Sequence, residues 1–106
     1  MVTAKVVKKN NIYVAFSCTG HAGFALSGKD IVCSAISMLT INCANSIMTL
    51  TNTIIDVSEE DGFISWEFVD EPDDKAALLM DSLIIGLKSI IEDYGKKYLT
   101  LITEEV

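Results

Sequence analysis

The sequence predicts an α+β fold: a mixed or antiparallel sheet of about five strands, in the order ββαββαβ, with two long helices packed on it. Three observations point there. Two pairs of extended runs each flank a polar turn. Two stretches of about twenty residues carry apolar side chains at spacings of three and four. Pairs and helices alternate with no linker, repeat or low-complexity segment between them. A single domain over residues 1–106 is expected, because a chain of this length, half of it hydrophobic, supports one core and leaves little room for a second.

Residues 2–8 and 12–19 form the first hairpin, around Lys9, Asn10 and Asn11. In its second strand Ile12, Val14, Phe16 and Cys18 alternate with Tyr13, Ala15, Ser17 and Thr19, which places Cys18 on the apolar face as a small core residue. Gly20, Gly23 and Gly28 then open a glycine-rich flexible loop that contains His21. A helix over 29–50 follows, with Val32, Ala35, Ile36, Leu39, Cys43, Ile47 and Leu50 on its apolar stripe. Residues 53–58 and 62–69 form a second hairpin around a turn at 59–62, with Ile64, Trp66 and Phe68 on one face. Pro72, Asp73 and Asp74 open a second helix over 73–95, whose buried side runs from Ala76 to Tyr94 and which Gly95 ends as a C-cap. Residues 98–103 make the last strand. Helices on one face of the sheet leave the other to water, polar residues or a partner subunit.

Charge narrows the function. Fifteen Asp and Glu against eight Lys and no Arg give a net charge of −7, a poor endowment for gripping phosphates, so direct nucleic-acid binding is disfavoured. A basic protein partner is compatible with that balance, as is plain solubility. Residues 31–55 come closest to a membrane span, but Ser, Thr and Asn interrupt them, and no signal peptide is expected at the N-terminus. A cytoplasmic location is the default. Three cysteines without a C-x-x-C pattern point away from a disulfide framework or a zinc site, and no metal or other cofactor is expected.

Cys33 differs from the other two thiols. It sits about 100° from Val32 on the helical wheel and within the first turns of its helix, where unpaired amides and the positive dipole end favour an anion. Thiol catalysis also needs an imidazole to take and return a proton, and the only histidine, His21, lies in the glycine-rich loop twelve residues earlier. Asp30, at the helix start, could cap the backbone or orient the imidazole. Ser37, four residues beyond Cys33, lies on the same helical face. The helix N-terminal amides could hold an oxyanion.

Gly20-His21-Ala22, a short spacer, and Gly28-Lys29-Asp30-Ile31-Val32-Cys33-Ser34-Ala35-Ile36-Ser37 resemble the signature of the ribosomal-processing cysteine protease family, Prp. Ser34 stands where relatives often have Ala. The resemblance implies a cysteine endopeptidase that removes the N-terminal extension of the large-subunit ribosomal protein bL27 after paired aromatic residues. It implies a catalytic dyad of His21 and Cys33 with Asp30 and Ser37 near the site, a homodimer, and a loop after the histidine that moves when substrate binds. Two other readings stay open: a non-catalytic ribosome- or assembly-associated binding module, and a thiol redox sensor, which the burial expected of Cys18 and Cys43 disfavours.

Overall fold

Each strand and helix of the computed structural model, which describes residues 1–21 and 30–106, lies close to where the residue pattern puts it. The order is β1 (Val2–Lys9), β2 (Ile12–Thr19), α1 (Ile31–Leu50), β3 (Ile55–Glu60), β4 (Phe63–Phe68), α2 (Asp74–Tyr94) and β5 (Leu99–Glu105). The strands form one sheet in the order β3-β4-β2-β1-β5. All neighbours are antiparallel except β1 and β5, which run parallel, so the sheet is mixed.

The first hairpin turns through Asn10 and Asn11, both at positive φ (52° and 64°), the two-residue turn that matches the right-handed twist of its strands. Its register shifts between Val7 and Lys8: Val7 pairs with Ala15, but Lys8 with Tyr13. Val14 is the extra residue of this bulge, and it breaks the simple alternation expected of β2. Tyr13 therefore turns inward, where its hydroxyl donates to Asp81 of α2, while Ile12 is exposed and Val14 only half-buried. Phe16 and Cys18 remain inside as the sequence indicates.

The inner face of the sheet packs Val6, Phe16 and Trp66 in one row across β1, β2 and β4. Phe16 and Trp66 meet with ring centroids 4.7 Å apart. The core continues into α1 through Val32, Ile36, Cys43 and Ile47, and into α2 through Ala76, Met80, Leu83, Leu87 and Ile90. The apolar stripes end sooner than their periodicity suggests. Leu50 and Tyr94 both stand in the last turn of their helices and are exposed. The outer face carries the row Ser58, Ser65, Ser17 and Lys5, none of them buried, which are polar residues of the kind that face requires.

Both helices start at an aspartate N-cap. Asp30 accepts the Cys33 amide at 2.9 Å, and Asp73 accepts the Ala76 amide at 2.8 Å. Gly95, at φ 103°, closes α2 by donating its N–H to the Ile91 carbonyl. By length and composition α1 is apolar enough to cross a membrane, despite its Ser, Thr and Asn residues. Its Val32–Ile47 stripe instead packs into the core of this domain.

Candidate active site

The end of β2 and the first turns of α1 meet at a cavity of about 440 Å³. Its floor is the inner face of the sheet, at Val2, Cys18 and Ile64. One side is α1, through Cys33, Ile36, Ser37, Thr40 and Ile41. The other is the turn between β3 and β4, from Glu59 to Gly62, followed by Phe63. Gly20 and His21 stand at the edge.

His21, Cys33 and Ser37, singled out separately along the chain, therefore line one cavity. Cys33 is half-buried, while His21 and Ser37 are exposed. Asp30 is not among the lining residues: it is 8% exposed, and its Oδ1 holds the Cys33 amide. That hydrogen bond fixes the first turn of α1 and hence the direction in which the Cys33 side chain leaves it. It also occupies the Cys33 amide, and the Ser34 amide is engaged by the Asp30 carbonyl at 3.0 Å. An oxyanion in the cavity would draw its donors from other groups. Gly23 and Gly28 of the expected flexible loop lie outside the described residues; Gly20 is held by an N–H bond of 2.8 Å to the Gly62 carbonyl.

Burial sorts the thiols. It pushes Cys18 up to about 11, with Cys33 nearby as the lesser cause, and Cys43 up to about 12. Both keep their protons at neutral pH. Among the described residues no three His, Cys, Asp or Glu side chains converge as a metal site requires.

A family model described as cysteine protease Prp matches residues 1–99. The chain belongs to the Prp family of cysteine proteases. The ribosomal processing cysteine protease Prp of Bacillus subtilis (strain 168) is 32% identical over 87 residues, 76% of this chain and 78% of the relative. The Prp of Staphylococcus aureus (strain Mu50) is 32% identical over 79 residues, 73% of this chain and 74% of the relative. Among solved structures, an essential ribosomal processing protease Prp from S. aureus, in complex with a covalently linked product peptide, superposes with a TM-score of 0.92 at 26% identity, covering 98% of this chain and 100% of that one. A second, with a substrate peptide, gives 0.86 at 25% identity and the same coverage.

The sequence pattern pointed to only one side of this cavity. The acidic rim of Glu59, Glu60 and Asp61, the apolar Phe63, and Gly62 against the imidazole all come from the second hairpin. Their only local signal was a turn rich in acidic residues, with nothing to connect it to His21.

Proposed function

We propose that this cysteine protease removes the N-terminal extension of the bL27 precursor, cutting after paired aromatic residues, with Cys33 as nucleophile and His21 as its proton carrier. The observation that carries the reading is the shared cavity: the one histidine and the one half-buried cysteine of a Prp-family chain open onto the same space. The Cys33 thiolate attacks the scissile carbonyl and forms a thioester with the extension. His21 protonates the departing amine, the new N-terminus of the ribosomal protein, and then takes a proton from the water that hydrolyses the thioester. Cytoplasmic location and a homodimer belong to the same reading. Ile31, Met38 and Met48 are exposed along α1 and offer a second copy an apolar face.

The covalent product complex of the S. aureus relative supports a route through an acyl-enzyme or a close analogue of one. The acidic rim supports a basic substrate, such as a lysine-rich ribosomal protein. The apolar Ile36, Ile41 and Phe63 support apolar residues beside the cut.

Cys18 shares the cavity with Cys33, which gives the redox-sensor reading a second thiol, but burial holds its proton and leaves it a weak resolving nucleophile. Disulfide mapping after peroxide treatment tells the two readings apart. The protease reading expects Cys33 to react alone, and a Cys18–Cys33 bond would favour the sensor.

The direct test incubates bL27 precursor with the native chain, Cys33→Ala and His21→Ala, and reads the new N-terminus by mass. One cut after the aromatic pair, lost in both variants, is the expected result. Intact precursor at high concentrations of folded enzyme would overturn the substrate assignment. Full biological activity of Cys33→Ala would favour a binding module instead.

A further inference from the structure

We infer that Gly62, in the β3–β4 turn, is a positioning residue for the His21 imidazole; this rests on the reading of His21 and Cys33 as the working pair. The two residues are remote in sequence, and two contacts join them. The Gly20 N–H donates to the Gly62 carbonyl at 2.8 Å, which ties the backbone just before His21 to the turn. The imidazole then lies against the Gly62 α-carbon: a β-carbon built there would stand 2.8 Å from Nε2, 3.3 Å from Cε1 and 3.5 Å from Cδ2 of His21.

Gly62 meets two demands at once. Its φ of +73° is a left-handed conformation that closes the hairpin, and its missing side chain is the space against which the ring rests. The first demand is common at turns, and asparagine can meet it. The second is met by glycine alone. Because the crowded atoms belong to the far end of a mobile side chain, a β-carbon at 62 displaces the ring and leaves the fold in place. A ring moved by even about 1 Å loses much of its ability to exchange a proton with the thiol.

Gly62→Asn keeps the turn and adds the β-carbon. Gly95→Ala is the control: Gly95 also has a left-handed φ, +103°, but a β-carbon there meets nothing within 4 Å. Each is compared with the native chain and His21→Ala for peptide cleavage and for alkylation of Cys33 by iodoacetamide near neutral pH. For Gly62→Asn the expected result is a fall in kcat of at least roughly tenfold with KM within about twofold, and alkylation slowed toward the rate of His21→Ala. Gly95→Ala should match the native chain in both. A Gly62→Asn enzyme that matches the native chain, while His21→Ala is slow, would overturn the inference and leave the pair standing. Native rates in His21→Ala would overturn both. Should Gly62→Asn fail to fold, NMR of the native chain decides: cross-relaxation between the His21 ring protons and the Gly62 α-protons supports the contact, and its absence in assigned spectra overturns it.

Discussion

Burial sets the three cysteines of this chain apart more sharply than their spacing does. Cys18 and Cys43 lie in the core, 6% and 5% exposed, whereas Cys33 opens onto the cavity. With the buried pair pushed up to about 11 and about 12, roughly one in ten thousand or fewer of either is thiolate at pH 7. Iodoacetamide on the folded protein should therefore label Cys33 alone, and all three cysteines after denaturation, as read by peptide mass mapping. The same shifts couple folding to alkaline pH. Both thiols hold their protons more tightly folded than unfolded, so their contribution is complete below about pH 9 and is lost as pH rises toward 11 and 12. Urea midpoints should fall between about pH 8 and pH 10.5, and less steeply in a Cys18→Ala, Cys43→Ala double variant. His21 and Cys33, which line one cavity, could be singled out in the sequence because a local motif carries them. The contact of Gly62 with the His21 ring could not, since Gly62 reaches it only through the pairing of β2 with β4.

At the scale of elements, the start of α1 does the most for the site. An aspartate before an apolar helical stripe is a readable cap, and the structure gives Asp30 that part by placing its Oδ1 on the Cys33 amide. Asp30→Ala should lower stability by about 1 kcal/mol, a fall of about 4–8 °C in Tm for a domain of this size, and Asp30→Ser should recover most of it. A thermal melt of the three proteins checks this; an unchanged Tm in Asp30→Ala would show that the cap contributes little. Strand β2 shows where pattern reading stops. Alternation predicted Ile12 and Val14 inside, but the bulge at Val14 sends Tyr13 inward to Asp81. A bulge is a property of two paired strands, and one strand's sequence does not carry it.

For the whole molecule, alternating hairpins and helices were enough to give the α+β class and the element order. Strand order in the sheet, with β5 parallel to β1 at one edge and β3 at the other, depends on pairings between distant segments. Those pairings also concentrate charge. The net charge of −7 was plain from composition, but only the fold brings Glu59, Glu60 and Asp61 to the cavity that holds His21 and Cys33. If that rim attracts a basic peptide, raising the salt concentration to about 1 M, where the screening length is about 3 Å, should raise KM and leave kcat nearly unchanged. Steady-state kinetics at several salt concentrations check this, and a KM independent of salt would assign the acidic rim to solubility alone.

On the proposed mechanism, Cys33 carries the acyl group during peptide cleavage. Acid quenching of the enzyme with its substrate peptide within a turnover, followed by mass mapping of the modified residue, would trap that intermediate. The expected product is a thioester between Cys33 and the N-terminal fragment, with no adduct on Cys18 or Cys43 and none in Cys33→Ala. Continued cleavage by Cys33→Ala, or an adduct on another residue, would contradict it.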